Sequence, residues 1–444
     1  MITAPICEFV RRYRYSGALR MHMPGHKGTA LLGPEPLDLT EIEGADVLYH
    51  AEGIIRESEA NAAALFGTKK TVYSAEGSSL CIRAMLYLAL LHARANHKKP
   101  VIAAGRNAHK VFMTAAALLD LDIRWIYGTE SVISCAITPA QLEDVIVSEN
   151  PAAVYITSPD YLGNIADIKS LSTVCKKHGV LLLVDNAHGA YLHFLPEPMH
   201  PMQLGADICC DSAHKTLPVL TGGAYLHIAH GTPDMFAQRA ESAMALFAST
   251  SPSYLILQSL DAMNPLLATS FPAQLKACAE RLDTLKAKLR AHGYALCGEE
   301  RTKLCLLPKS FGYTGTALAE ILTHHNIYCE FSDADHLVMM FTPETTPADF
   351  ARLERALLSV LPAPAILSKP PVPPHAERVL SPREALFSPS ETLLLSECES
   401  RILADANVSC PPAVPLAVCG ERLTPEVISA MEYYGTEHCT VVVE

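Results

Sequence analysis

Short apolar runs alternate with amphipathic stretches between Thr71 and Ile228, and this alternation leaves the chain few architectures to fold into. Runs with the length and β-branched content of buried strands lie at residues 101–104, 123–127, 153–157, 180–184, 208–210 and 224–228. Stretches with helical apolar spacing lie between them, at residues 80–95, 110–119 and 168–178. Continuous apolar strands separated by helices are typical of a parallel sheet covered on both faces. The sequence therefore predicts an α/β domain, and ligands of such domains bind at the carboxyl ends of the strands.

Composition and charge exclude several classes of protein. The 444 residues carry a net charge of −12 and no basic stripe that would neutralise nucleic acid phosphates. The apolar run from Leu80 to Leu91 is interrupted by Arg83 and is too short to span a membrane. The N-terminus lacks an apolar signal region, so we expect a cytoplasmic protein. The 14 cysteines are scattered and never form Cys-x-x-Cys, which favours reduced core cysteines and no metal site.

An aspartate and a lysine thirty positions apart carry the strongest chemical signal. Asp185 ends an apolar run, and Lys215 lies within Asp211-Ser-Ala-His-Lys-Thr. The amine of such a lysine forms a Schiff base with the aldehyde of pyridoxal phosphate (PLP), and the carboxylate keeps the pyridine nitrogen protonated. Considered alone, Lys215 could be a surface lysine. Asp185 could equally hold magnesium in a nucleotide-binding protein, but the chain has neither G-x-x-x-x-G-K-[ST] nor G-x-G-x-x-G.

Residues around this pair fit the same cofactor. Ala187 is small enough to lie under the ring, and His188 is placed to reach its phenolic oxygen. The stretch Gly77-Ser-Ser79 opens a predicted helix, where free N–H groups and two hydroxyls make an anion site for a phosphate. His109 follows the first predicted strand and is placed to stack on the ring. Each feature has a structural alternative: a packed histidine, an N-cap without ligand, or a plain strand-to-helix connection.

Taken together, these motifs resemble those of a known family. The matching stretches are His22-Met-Pro-Gly-His-Lys27, Asp38-Leu-Thr-Glu41 leading to Phe66-Gly67, Gly77-Ser-Ser79, Arg106-Asn-Ala-His109, Thr157-Ser-Pro159, Asp185-Asn-Ala-His188, Ser212-Ala-His-Lys215, Ser249-Thr-Ser-Pro252, Ser381-Pro-Arg-Glu-Ala385 and Cys410-Pro-Pro-Ala-Val-Pro415. In them the chain resembles the Orn/Lys/Arg decarboxylase family of fold type I PLP enzymes, in its short bacterial form. The resemblance implies an aspartate-aminotransferase-like large α/β domain with a mixed, mostly parallel seven-stranded sheet. It also implies smaller α+β C-terminal domains.

The resemblance further implies roles for the residues that would hold the cofactor. Lys215 would be the Schiff-base lysine, Asp185 the partner of the pyridine nitrogen, and His109 the ring stacked over the cofactor. The residues expected around the phosphate are Ser78, Ser79, Ser212 and His214. Thr250, in the segment 249–251, would reach the phosphate of a neighbouring subunit. This implies a homodimer with shared sites and leaves higher oligomers open.

Two further positions bear on the substrate and on the cofactor aspartate. Asp405 stands where many relatives carry a glutamate that meets the distal cationic group of the substrate. Asn186 replaces a glutamate that is common beside the cofactor aspartate, and we expect its side chain to point away from the ring. Asp405 is therefore the predicted substrate-binding residue.

The chain is predicted to contain several structural parts. These are an N-terminal arm (1–50), a PLP-binding large domain (51–270), a small α+β domain (271–361) and a C-terminal decarboxylase-family domain (376–444). Residues 362–375 are predicted to be a stiff linker, because six of the thirteen residues 362–374 are prolines.

The predicted activity is decarboxylation of lysine, arginine or ornithine to the corresponding amine, a reaction of polyamine biosynthesis. The Cα proton would come from His214 or from a cysteine. One alternative is another reaction of the same fold, such as transamination or a lyase reaction, since fold does not fix reaction type. An aminotransferase needs an arginine for the α-carboxylate, for which Arg281, Arg301 and Arg352 are candidates. A second alternative is a catalytically silent relative that binds a polyamine.

Overall fold

The structure is a computed structural model that describes residues 2–128, 133–372, 375–405 and 414–443. Residues 410–413 of the Cys-Pro-Pro-Ala-Val-Pro motif and residues 373–374 of the predicted linker lie outside the described residues. Within the described ranges, no helix combines the length and the apolar character needed to cross a bilayer.

The main sheet consists of β1 (Lys70–Ser74), β2 (Val101–Gly105), β3 (Asp122–Ile126), β4 (Ala153–Thr157), β5 (Leu181–Asp185), β6 (Ile208–Asp211) and β7 (Ala224–Ile228). The strand order is β1-β7-β6-β5-β4-β2-β3. β2 pairs in parallel with β3 and β4, and β5 pairs in parallel with β6, whereas β7 is antiparallel to both β1 and β6. The expected mixed, mostly parallel seven-stranded sheet is confirmed.

The apolar runs predict this sheet well, with two exceptions. Six strands coincide with the predicted runs to within one residue at either end, whereas β1 is a seventh strand that the runs did not indicate. The antiparallel direction of β7 also departs from the parallel pattern. The connection from β6 to β7 holds a single helical turn, Ala213–Thr216. A parallel crossover usually needs a full helix, so this short connection returns the chain antiparallel.

The helices are α1 (Pro5–Tyr15), α2 (Ile54–Phe66), α3 (Gly77–Ala95), α4 (Lys110–Leu119), α5 (Pro139–Glu149), α6 (Ile168–His178), α7 (Pro201–Leu204), α8 (Ala213–Thr216), α9 (Asp234–Ala245), α10 (Tyr254–Leu267), α11 (Phe271–His292), α12 (Gly315–His324), α13 (Pro347–Ser359), α14 (Pro382–Phe387) and α15 (Pro425–Tyr433). The remaining strands are β8 (Ala295–Cys297), β9 (Lys303–Leu307), β10 (Phe331–Ser332), β11 (Leu337–Met340), β12 (Ser390–Leu394) and β13 (His438–Val442).

The chain divides into two compact units, and the first comprises Met1–Lys98 and Ile168–Gln274. In this unit α3 packs on β6, β7 and α9. The strands β5, β6 and β7 are buried along their whole length. Because helices and neighbouring strands cover these apolar strands, polar groups concentrate where the strands end, at Asp185 and Asp211.

The second unit comprises Lys99–Asp167 and Leu275–Glu444. It contains a four-stranded antiparallel sheet in the order β10-β11-β9-β8, whose core includes Leu285, Leu306 and Leu318. A smaller cluster around Leu423 and Val427 packs beside the two-stranded sheet of β12 and β13. The predicted domain boundaries remain a prediction.

Candidate active site

Lys215 lies on the one-turn helix α8, directly after β6. Its side chain is partly buried, and its Nζ donates a hydrogen bond to Nε2 of His188 at 3.0 Å. The backbone N–H of Lys215 donates to the carbonyl of Ser212 at 3.0 Å, which closes the turn. The structure thus brings together a lysine and a histidine that are 27 residues apart in the sequence.

Asp185 is the last residue of β5, and it is only 2% exposed. One carboxylate oxygen, Oδ1, accepts hydrogen bonds from the backbone N–H of Ala187 at 3.2 Å and from the thiol of Cys210 at 3.7 Å. Cys210 stands opposite Asp185 in the parallel pairing of β5 with β6. Sequence reasoning did not assign Cys210, although its place at the end of a buried strand was a signal.

The predicted phosphate residues gather at the start of α3. Ser78 and Ser79 lie in the first turn of this helix, and Ser212 Oγ donates to Ser78 Oγ at 2.8 Å. Ser78 is 9% exposed and Ser212 only 1%. A helix start offers unpaired N–H groups and a partial positive charge, so the added hydroxyls make a site suited to a phosphate group.

A glycine turn holds this helix start and the lysine turn together. The N–H of Gly77 donates to the carbonyl of Gly222 at 2.7 Å. The carbonyl of Gly223 accepts from the backbone N–H of His214 at 3.1 Å and from its ring Nδ1 at 3.0 Å. Gly222 has φ +99°, and a Cβ there would lie 2.8 Å from the carbonyl oxygen of Ala75, so glycine is required.

A second buried carboxylate, Asp211 at the end of β6, is part of a network that the sequence did not reveal. Its Oδ2 accepts from Nε2 of His200 at 3.0 Å and of His227 at 3.2 Å, and Oδ1 accepts from the Asn186 amide at 2.7 Å. Burial acts to raise the pKa of Asp211, but the two histidines reverse this and hold the pKa well below its usual range. Asn186 therefore contacts a neighbouring carboxylate, where a glutamate would be repelled.

The tautomer of His200 argues for a hydrogen-bond network at Asp211 rather than a metal site. His200 Nδ1 accepts the backbone N–H of Met202 at 3.3 Å, so the ring nitrogen that donates to Asp211 is Nε2. A nitrogen that carries a proton cannot ligate a metal.

Other predicted site residues are placed by their local structure alone. His109 caps α4, where its Nδ1 accepts from the N–H of Val111 at 3.2 Å. Asp405 is partly buried beside the bridge between Leu403 and Val441. The placement of His109 over the cofactor ring remains a prediction, and so does the contact of Asp405 with the substrate.

The segment that carries Thr250 is exposed within the chain. The N–H of Ser249 donates to a carboxylate oxygen of Glu76 at 2.7 Å, and Glu76 is the N-cap of α3. The segment is therefore anchored next to the predicted phosphate site of its own chain. Its contact with a neighbouring subunit remains a prediction.

Arg106, part of the Arg-Asn-Ala-His motif, has a structural role in the second unit. Its guanidinium donates to the carbonyls of Pro415 at 2.7 Å and Leu416 at 2.9 Å, and it forms an ion pair with Glu421 at 3.4 Å. Both charged side chains are nearly buried, at 6% and 2% exposure. Arg106 thus ties the loop after β2 to the end of the Cys-Pro-Pro-Ala-Val-Pro motif.

The residues of the first unit fit pyridoxal phosphate. The cofactor requires an amine for its aldehyde, a carboxylate for its pyridine nitrogen and an anion site for its phosphate. Lys215, Asp185 and the Ser78–Ser212 pair supply these groups. They are linked by direct contacts, since Ser212 is bonded to both Ser78 and the backbone of Lys215, and Cys210 joins β6 to Asp185.

Comparison with known proteins agrees with this chemistry. The arginine decarboxylase of Bacillus subtilis (strain 168) is 30% identical over 463 residues, covering 96% of this chain and 92% of that protein. The arginine decarboxylase of Halalkalibacterium halodurans is 28% identical, covering 95% and 91%. Among solved structures, the Francisella novicida lysine decarboxylase LdcF superposes with a TM-score of 0.79 at 16% identity, covering 100% of this chain and 81% of that chain. The constitutive lysine decarboxylase of E. coli gives a TM-score of 0.78 at 16% identity, covering 100% and 82%.

The two structural matches show the fold, which is that of fold type I PLP decarboxylases, as expected. Residues 4–296, about two thirds of the chain, match the family described as Orn/Lys/Arg decarboxylase, major domain. With this match and the identity to curated arginine decarboxylases along nearly its whole length, the chain belongs to the Orn/Lys/Arg decarboxylase family of PLP-dependent enzymes.

Proposed function

We propose that this chain removes the α-carboxylate of a basic amino acid as carbon dioxide and releases the corresponding amine. The observation that carries the proposal is the contact between Lys215 and His188 beside the strand-end carboxylate Asp185. When bound, the cofactor supplies an electron-poor ring that accepts the electrons of the broken carbon–carbon bond. The chain itself must hold, orient and protonate the reacting groups.

Each residue of the first unit has a separate task in this proposal. Lys215 holds the cofactor through its aldehyde, and Asp185 keeps a proton on the pyridine nitrogen. The hydroxyls of Ser78, Ser79 and Ser212 and the helix start bind the phosphate. The N–H of Ala187 and the Cys210 thiol orient the Asp185 carboxylate.

We propose arginine as the first substrate to test, because the two relatives described above, which match along nearly the whole chain, are named arginine decarboxylases. Lysine and ornithine differ from it mainly in chain length and head group, and one pocket contact can decide among them. Asp405 is the proposed contact for the distal cationic group. An Asp405→Ala variant should raise the Michaelis constant for the best substrate and leave the turnover number less affected.

An aminotransferase reaction has less support from the second unit. Arg301 forms an ion pair with Asp283 at 2.7 Å, and Arg352 donates to the carbonyl of His325 at 2.6 Å. Arg281 is exposed on α11. These surface positions are poorly suited to clamping an α-carboxylate.

The direct test is carbon dioxide release from arginine, lysine and ornithine, measured in parallel with added PLP. We expect release from at least one substrate, and loss of that release in Lys215→Ala but not in the matched surface variant Lys176→Ala. Borohydride reduction should attach the cofactor to Lys215. A keto acid product without carbon dioxide would contradict the proposal, and so would a label on another residue.

We also propose that the enzyme acts in the cytoplasm, in polyamine formation, as a homodimer. The segment 249–251 supports a shared site, because it is exposed and therefore accessible to a neighbouring subunit. Sedimentation of the PLP-loaded protein should give twice the mass of the chain. A monomer with full activity would refute the shared site.

A further inference from the structure

Two cysteines of the second unit face each other across neighbouring strands. Cys297 ends β8, and Cys305 lies directly opposite it on the antiparallel strand β9. Their sulfur atoms are 3.1 Å apart. Opposite residues in such pairs have Cα atoms about 4.5–5.5 Å apart. Disulfides span Cα separations of about 4.4–6.8 Å, so the backbone already has a geometry that a disulfide accepts.

The two thiols differ in access. Cys305 is 1% exposed and packs against an apolar cluster that includes Phe331 and Val338. Cys297 is partly buried and lines a cavity of about 580 Å³, which Cys135 also lines. A reagent in the cavity would therefore meet Cys297 first, with Cys305 behind it.

Electrostatics distinguish the same two thiols. The hydrogen bond between the two thiols lowers the pKa of Cys297 against the effect of burial. The nearby His336 lowers this pKa further, and Asp160 acts to raise it. The same contact, together with burial, raises the pKa of Cys305, while nearby Lys303 acts to lower it and Asp160 to raise it. Burial acts to lower the pKa of His336, but its bond to Asp333 raises it, which favours the imidazolium form beside Cys297.

Cys297 is unusual among the cysteines of the described residues. Each of the others has its pKa raised, with burial as the largest or second cause. Thiolates are the reactive form in disulfide exchange. Cys297 is therefore the better nucleophile of the facing pair, and Cys305 is placed to complete the exchange.

We propose that Cys297 and Cys305 form a reversible dithiol–disulfide site that reacts with small organic disulfides entering the cavity. The Cys297 thiolate attacks one sulfur of the reagent, a mixed disulfide forms, and the first reagent thiol leaves with the proton that Cys297 gave up. Cys305 then attacks Cys297, the second reagent thiol leaves, and it takes the proton of Cys305. Two cysteine thiols are thus oxidised by two electrons, and one reagent disulfide is reduced to two thiols.

The test uses the full PLP-loaded chain with 2-hydroxyethyl disulfide, followed by alkylation and peptide mass spectrometry. We expect the peptides of Cys297 and Cys305 to be joined, with reversal by dithiothreitol. Cys135→Ser is the matched control, because it removes the other thiol of the same cavity, and it should keep the cross-link. A link between Cys297 and Cys135 would overturn the proposal, and so would a folded protein in which Cys297 stays unmodified.

A second variant tests the role of Cys305. In Cys305→Ala the reagent should remain attached to Cys297, since nothing resolves the mixed disulfide. Alkylation of Cys297 by iodoacetamide should also slow several-fold, because the hydrogen bond that stabilises its thiolate is lost. An unchanged alkylation rate, with circular dichroism showing a folded protein, would reject the pairing. If this variant fails to fold, the cross-link in the unmodified chain decides the question.

Discussion

Asp185 and Asp211 end neighbouring strands of one sheet, and both carboxylates are buried, yet their surroundings differ. Asp211 is contacted by two imidazole rings and an amide. The donors to Asp185 include a backbone N–H and a thiol, and thiols donate weakly. The first arrangement stabilises a fixed negative charge within the protein. The second belongs to the carboxylate that we propose meets the ring nitrogen of the cofactor.

This difference shows that a carboxylate at a strand end is not by itself a sign of catalysis. The partners of Asp211 are the N-cap residue of α7, a residue of β7 and the residue after β5, and no local sequence pattern indicates them. The role of a strand-end carboxylate therefore depends on contacts with residues that are distant in the sequence. Variants at the two positions should therefore separate activity from stability.

The largest effect is expected for Asp185→Asn on activity. The amide cannot keep the pyridine nitrogen protonated, so turnover should fall about 10³-fold, as for loss of one strong electrostatic contact. The free energy of unfolding should change less than in Asp211→Asn. Carbon dioxide release and urea denaturation, measured on the same preparation, give both values. Equal loss of activity in the two variants would contradict the different roles proposed for Asp185 and Asp211.

Asp211→Asn should instead destabilise the fold, by about 3–5 kcal/mol, as for removal of one partner from a buried charged network. The introduced amide has an NH₂ group where the carboxylate has an oxygen. The Asn186 amide or one of the two imidazole N–H groups would then lie against this second donor. Because the folded-state pKa of Asp211 is held below its usual value, its stabilisation is present above about pH 4 and is lost as pH falls further. Urea unfolding at pH 7 and pH 3.5 measures this loss of stability. If the free energy of unfolding of the variant depended on pH as that of the wild-type protein does, the assignment to Asp211 would be contradicted.

Asn186→Glu introduces the residue common in the family and should cost about 2 kcal/mol, because its carboxylate would meet Asp211. The double variant with Asp211→Asn should recover part of this loss. A double-mutant cycle of unfolding free energies gives the coupling directly. Additive effects would show that the two side chains do not interact.

The smallest effect concerns His193, which packs near His200. Burial, with His200 and His227 adding, lowers the pKa of His193 to about 4. The unfolded chain binds the proton from about pH 6.5, so stability should fall as pH drops from there towards 4. His193→Gln should reduce this fall by about 1 kcal/mol, allowing for solvent screening. The exposed His230→Gln is the matched control, and equal slopes in both variants would disprove the assignment.

The sequence predicted six strands of the sheet and a candidate cofactor site because both depend on local pattern. Apolar runs marked the strands, and Asp185 and Lys215 were proposed from their chemistry, which remains a prediction. The contacts of Cys210, Asn186 and Asp211 were not found, since pairing between strands sets them. The direction of β7 was missed by the apolar pattern because a short turn, rather than the strand itself, determines it.

Gly222 and Gly223 bear no reactive group, yet their adjacent carbonyls are bonded to the helix that begins at Gly77 and to the backbone and ring of His214. The predicted phosphate site and the turn that carries Lys215 therefore share one backbone anchor. A side chain at position 222 would clash with the Ala75 carbonyl, so a substitution there should shift the start of α3 and the lysine turn together.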